Sequence, residues 1–227
     1  MSPSIGLLNE KPLHAALKVW YAEPDDILEA PVDGYVVDIV RGDLLVEIQT
    51  RNFAAIRAKL AALSAHHPLR LVYPLAVEKW IVKLSPDGRQ PSSRRKSPKK
   101  GAPVEVFSEL VSIPHLLTSP HFSLELLLIR EEEMRRYDEA RAWRRRGWVT
   151  QERRLLDVIG RQVFATPGEL AAMLPADLDE PFTTLELAAA LGAPRRLAQR
   201  MAYCLRAVGV LSAAGKRGRS VLYIRNR

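Results

Sequence analysis

Between Ile27 and Thr50 apolar and polar residues alternate at a period of two, interrupted by two tight-turn dipeptides. Asp33-Gly34 and Gly42-Asp43 suit two-residue hairpin loops, because glycine accepts positive φ and aspartate tolerates it. The pattern predicts three short antiparallel strands. The turns set their register: Arg41 faces Leu44, Val40 faces Leu45, Ile39 faces Val46 and Asp38 faces Glu47. On the other side Val32 faces Tyr35, Ala30 faces Val37 and Glu29 faces Asp38. Opposed residues share a sheet face. One face therefore collects Leu28, Ala30, Val32, Tyr35, Val37, Ile39, Leu44, Val46 and Ile48. The other carries Glu29, Asp38, Glu47 and Gln49. A slip of one residue would mix the two sets, so pattern and turns agree.

Helical spacing flanks this meander. Asn9 suits an N-cap, Pro12 fits a first turn, and Leu13, Ala16, Leu17 and Trp20 make one apolar stripe. Phe53, Ile56, Leu60 and Leu63 make another, over 53–65, with Arg57 and Lys59 off it. His66 and His67 end that helix, where cations suit the dipole. Leu69–Leu75 and Trp80–Leu84 read as two strands. Residues 85–103 are rich in proline, serine and basic groups and read as a mobile loop. Residues 104–117 read as helical up to Pro114, and 122–129 as a strand or buried segment. Residues 131–146 and 150–164 read as helices, the latter with Leu155, Leu156 and Ile159 inward. Trp143 and Trp148 flank an arginine run, placed to stack on bases or to hold a domain junction.

Charge adds a location. The chain of 227 residues carries a formal net charge of +8. Residues 1–84 and 104–150 each sum to −1, whereas 85–103 and 151–227 each sum to +5. A localised basic footprint of this kind suits nucleic acid, although solvated arginines would look the same. Cys204 is the single cysteine. That argues against disulfides and cysteine-based zinc sites and for a reducing cytoplasm. No apolar run approaches the length of a membrane span, and no signal-peptide pattern opens the chain.

The last third is predicted as a helix capped by Thr183 or Thr184, a Gly192-Ala193-Pro194 turn, a longer helix over 195–208, and a hairpin tipped by Gly215–Arg219. That order resembles a winged helix-turn-helix domain. The resemblance implies a helix that enters the major groove and a wing that touches the backbone. Arg195, Arg196, Gln199, Arg200, Tyr203 and Arg206 would face DNA from the helix, and Lys216, Arg217 and Arg219 from the wing. Arg94, Arg95, Lys96, Lys99 and Lys100 of the basic loop would reach phosphates. Winged helices also serve as protein-interaction modules.

A row of carboxylates across neighbouring strands destabilises a sheet unless compensated, and a hard divalent cation compensates it. Asp38 on one strand with Glu47-Ile48-Gln49 on the next, between two helices, resembles the PD-(D/E)xK nuclease superfamily, the restriction-endonuclease-like fold. The resemblance covers about residues 5–84. It implies that Asp38, Glu47 and the Ile48 backbone carbonyl hold Mg2+ or Mn2+, with Glu10 of the first helix as a further ligand. Gln49 stands where the family usually has lysine. Glu10 also fits as a residue that complements the helix dipole, and Glu29 as an exposed edge-strand residue.

These readings predict an α+β or α/β chain: a restriction-endonuclease-like mixed sheet flanked by helices over 1–148, then a winged helix over 149–227. The expected function is metal-dependent endonucleolytic hydrolysis of duplex or branched DNA, with a homodimer as a possible state. The rival expectation is a non-catalytic DNA-binding regulator built on a nuclease-like fold.

Overall fold

Asp33 and Gly34 both take positive φ (47° and 80°), as a type I′ hairpin requires, and Gly42 does so at the second turn (55°). These turns join strands β1 (Ile27–Val32), β2 (Tyr35–Arg41) and β3 (Leu44–Ile48). The pairs Val32–Tyr35, Ala30–Val37, Arg41–Leu44, Val40–Leu45 and Ile39–Val46 are those the turns predict. The computed structural model describes residues 11–226, apart from 86, 89 and 139–146. Asn9, Glu10 and Trp143 lie outside the described residues.

The elements make a mixed α+β fold. Helix α1 (Pro12–Tyr21) precedes the meander. A 3-10 turn (Phe53–Ile56) and α2 (Arg57–Ser64) follow it and lead to the long strand β4 (Leu69–Leu84). Then come β5 (Pro91–Lys96), the short helix α3 (Phe107–Leu110) between two 3-10 turns, and two further long strands, β6 (Phe122–Tyr137) and β7 (Trp148–Phe164). The sheet order is β1-β2-β3-β4-β6-β7, with β3, β4 and β6 parallel and the other neighbours antiparallel. Strand β6 pairs with β4 along nearly its whole length. On the other side, β3 pairs only with Leu69–Val72 and β5 only with Trp80–Leu84, so the two lie end to end.

Several sequence expectations are corrected here. Residues 150–164 form a strand, not a helix, and leave Leu156 and Ile159 exposed rather than inward. Residues 131–137 continue β6 and are not helical. In both cases the charged residues find partners within the sheet, Arg153 on Glu131 across the β6–β7 ladder and Lys79 of β4 on Glu131 and Glu133, and this satisfies them as a helix surface would. The two strands expected over 69–84 are one. Part of the expected mobile loop is strand β5.

The meander's register holds, but its faces do not stay single. Leu44, Val46, Ile48 and Ile39 pack with Leu13, Leu17 and Tyr21 of α1. Val37, although two residues from Ile39, packs on the opposite side with Leu45, Val32 and Tyr35. The change of side falls at Asp38, between the pairs Leu28–Ile39 and Ala30–Val37, where Glu29 of β1 takes a left-handed φ of 52°. Leu28 is exposed rather than core, and in α1 the buried aromatic is Tyr21 instead of Trp20.

The second sheet face is covered by Phe53, Leu60, Leu63, Phe107 and Leu110. Their cluster continues without a break into Leu170, Phe182, Leu187, Met201 and Leu205. The C-terminal segment thus packs into the same core as the sheet. It contains α4 (Pro167–Ala171), α5 (Thr184–Ala190), α6 (Arg195–Ala207) and a hairpin of β8 (Leu211–Arg217) and β9 (Ser220–Arg225). Thr183 caps α5 reciprocally with Glu186, as its position before the helix predicts. Strand β7 carries the sheet past the boundary expected after residue 148.

Candidate functional site

Asp38 and Glu47 meet where the backbone pairing of β2 with β3 stops. Beyond the Ile39–Val46 pair, carboxylates take over the bonding. The Ile48 N–H donates to Asp38 Oδ2 at 2.8 Å, and the Asp38 N–H donates to Glu47 Oε1 at 3.4 Å. Each acid is therefore fixed by the other's strand, and Glu47 is only 4% exposed.

A different helix approaches each acid. From α1, His14 Nε2 lies 3.3 Å from Asp38 Oδ2. From α2, Lys59 Nζ lies 2.5 Å from Glu47 Oε1 and donates to the Val36 carbonyl at 2.6 Å. Glu29 does not join the pair: it accepts from Lys18 of α1 at 2.6 Å. Periodicity placed Lys59 off the apolar stripe of its helix. The long side chain reaches back over the sheet, a direction that helical spacing alone does not disclose. His14 carried no sequence signal, being a lone histidine beside a core stripe.

Two buried carboxylates at this separation cannot both ionise freely. Burial and the neighbouring charge of Asp38 push Glu47 up to about 7, against the pull of Lys59. Burial also pushes Asp38 upward, but the His14 bond and charge and the Ile48 N–H outweigh it, and its pKa falls below the ordinary carboxylate value. Asp38 thus carries the charge first, and Glu47 holds a proton into the neutral range.

Gln49 is turned to another task. Its amide NH2 donates to the Arg51 and Asn52 carbonyls at 2.7 and 3.3 Å, and so fastens the loop that leaves β3. The cation beside Glu47 comes from Lys59 instead. Among the described residues no group of three or more His, Cys, Asp or Glu side chains is arranged to hold a metal ion. Among the described residues the acidic set is the pair alone. A pair can suffice for magnesium, which keeps several waters and is commonly held by one or two carboxylates together with substrate phosphates. Both donors are carboxylate oxygens, the ligand chemistry that magnesium takes.

The expected DNA-facing residues divide. Arg195, Arg196, Gln199, Tyr203 and Arg206 of α6 are exposed, as are Lys216 and Arg219 of the hairpin. Arg200 is half-buried and donates to the Ser108 carbonyl at 3.4 Å, tying α6 to α3. Arg217 pairs with Glu186 at 2.5 Å. In the basic segment Arg94 pairs with Glu132 and Lys96 with Glu78, both over the Trp80 ring, while Lys99 pairs with Glu105. Arg95 and Lys100 are exposed.

Residues 11–165 match the family described as "Domain of unknown function (DUF8091)", and the chain belongs to that family. An uncharacterized protein of Treponema pallidum (strain Nichols) is 32% identical over 222 residues, which cover 97% of this chain and 87% of that protein. No solved structure matches the chain. Among the described residues no helix is long and apolar enough to cross a membrane.

Proposed function

We propose that the chain is a divalent-metal-dependent DNA endonuclease of the PD-(D/E)xK type, delivered to duplex or branched DNA by a winged helix formed by α5, α6 and the β8–β9 hairpin. The observation that carries this reading is the buried Asp38–Glu47 pair, interlocked through the Ile48 and Asp38 N–H groups. It sits within the run α1, β1, β2, β3, α2, β4, the order of elements that the resemblance implies. Asp38, Glu47 and the Ile48 carbonyl would hold Mg2+ or Mn2+, and Glu10 remains a candidate ligand outside the described residues. When bound, the metal would supply a water of lowered pKa and neutralise charge growing on the phosphate.

The chain's own residues have distinct parts. Lys59 brings a positive charge within reach of Glu47, the charge that Gln49 lacks. His14 holds Asp38 in place. The exposed arginines of α6 supply phosphate and base-edge contacts, in bidentate form where geometry allows. Supercoiled plasmid and branched-junction DNA incubated with Mg2+ test the reading. Cleavage lost in Asp38→Ala and Glu47→Ala, with DNA binding retained, is the expected result. Cleavage surviving both substitutions, or absent from the wild type across substrates and metals, overturns it.

One observation favours the rival reading, a non-catalytic DNA-binding regulator. His14 and Lys59 already satisfy the two carboxylates, and Gln49 serves the loop. Sequence-selective, salt-sensitive binding without cleavage would establish that reading instead.

A further inference from the structure

Strand β4 has a gap along one side. Strand β3 leaves it after Val72 and β5 joins it only at Trp80; between them the backbone of residues 97–101 crosses, with the Ser97 N–H on the Lys79 carbonyl and the Gly101 N–H on the Ala76 carbonyl. Over this gap lies a cavity of about 650 Å³, lined by Tyr73 and Lys79 of β4, Arg51 after β3, Lys99 after β5, Arg135 of β6 and Arg153 of β7. A volume in that range suits a small-molecule ligand.

The cavity's cations are held in place from beneath. Lys79 Nζ lies 2.9 Å from Glu131 and 3.2 Å from Glu133. The first contact is one of charge, since Glu131 Oε1 accepts no aligned hydrogen bond. Arg153 donates to Glu131 through Nε at 2.8 Å and Nη2 at 2.5 Å, and Arg135 Nε donates to Glu133 at 2.9 Å. Glu131 is fully buried and Glu133 is 6% exposed. A network like this costs desolvation that an apolar cluster would avoid. Its yield is a set of fixed cations with donors left over, for a guanidinium carries five N–H groups.

Five cations face three carboxylates there (Glu105, Glu131 and Glu133), which leaves two positive charges in surplus. Arg51 forms no ion pair among the described residues. Thr50 and Tyr73 add hydroxyls to the lining, and burial pushes Tyr73 up to about 12, so its hydroxyl keeps its proton at neutral pH. A terminal phosphate carries close to two negative charges and offers three acceptor oxygens.

We propose that this cavity binds the terminal phosphate of a nucleotide, either free or at the end of a nucleic-acid strand. The phosphate rests on the cavity alone; the nucleotide as its carrier rests on the DNA-directed reading above. Thr50 and Arg51 follow Glu47-Ile48-Gln49 directly, so a phosphate held there would lie next to the strand end that bears the carboxylate pair.

Titration calorimetry in EDTA, with a 5′-phosphorylated oligodeoxynucleotide, the same strand unphosphorylated, and dAMP, tests the site without metal or cleavage. The phosphorylated strand should bind about tenfold more tightly than the unphosphorylated one, the worth of one charge-assisted bond. Arg51→Ala should reduce that preference and leave affinity for the unphosphorylated strand unchanged, and Lys99→Ala should reduce the preference as well, whatever it does to binding of the unphosphorylated strand. Both side chains are exposed, so either variant can stand in should the other fail to fold. Binding of dAMP as tight as the phosphorylated strand identifies the free nucleotide as ligand; a preference shown by the strand alone identifies a strand end. Equal affinity for the two strands together with no binding of dAMP overturns the proposal, as does a preference that survives both substitutions. Failure here leaves the Asp38–Glu47 reading standing, and loss of cleavage in the carboxylate variants does not bear on this cavity.

Discussion

Replacing Glu47 with glutamine should stabilise the metal-free protein at alkaline pH. Glu47 is buried beside Asp38 and titrates at about 7 instead of 4.5. Between those values the folded state holds a proton that the unfolded state has released. Stability therefore falls as pH rises through this window, and the full cost is reached above the folded pKa. At about 1.4 kcal/mol per pH unit, the wild-type protein carries a penalty of up to about 3 kcal/mol at pH 8 or above. Glutamine has the shape of the protonated acid and no charge to desolvate. At about 2–4 °C per kcal/mol for a chain of this size, the variant should melt up to about 6–12 °C higher at pH 8.5 in EDTA. At pH 5, where Glu47 is already protonated, the two should melt together. Thermal denaturation followed by circular dichroism across pH 5–9 measures both. A variant less stable than wild type at pH 8.5, or a difference independent of pH, would refute the claim that two like charges crowd this site.

Glu133 should behave in the opposite sense. Burial raises it, but Arg135, Thr150 and Lys79 outweigh that and hold it down to about 2. Its contribution is present above the ordinary carboxylate pKa and is lost as pH falls toward about 2. Glu133→Gln should therefore cost about 3 kcal/mol at pH 7 in urea unfolding, and the deficit should shrink on acidification. Arg196→Ala and Arg206→Ala should each weaken DNA binding and lower the salt slope by about one, measured by fluorescence anisotropy across salt concentrations. Arg200→Ala should leave that slope unchanged but cost about 1 kcal/mol of stability through the Ser108 bond. Gly101→Ala should destabilise by about 1–3 kcal/mol in the same unfolding assay, since its Cβ would sit 2.6 Å from the Ala76 carbonyl oxygen.

Local chemistry made the meander legible. Two glycine turns fixed the pairing of Ile39 with Val46 and placed Asp38 near Glu47 before any packing was known. Turns also marked the C-terminal pair of helices and their hairpin, where Thr183 and Gly218 carry strong local signals. The long strands β6 and β7 were harder to read. Their charged residues satisfy one another across the ladder, so period-two alternation of apolar groups, the usual mark of a strand, is weak between Glu131 and Arg154. The change of face at Asp38 coincides with a left-handed Glu29 on the neighbouring strand, a conformation that no glutamate announces. Lys59 and His14 were not legible as site residues because their contacts join segments 12 and 24 residues apart. Helical spacing records which face a residue occupies, not how far a side chain reaches along it.

The carboxylate pair as a metal centre is tested most directly by Mn2+ binding, followed by electron paramagnetic resonance at pH 7.5. The wild-type protein should take up Mn2+, and Mg2+ should compete for the same site. Asp38→Asn and Glu47→Gln, still folded and still binding DNA, should take up none. Equal Mn2+ uptake by all three proteins, or none by the wild type, would contradict a metal site at Asp38 and Glu47.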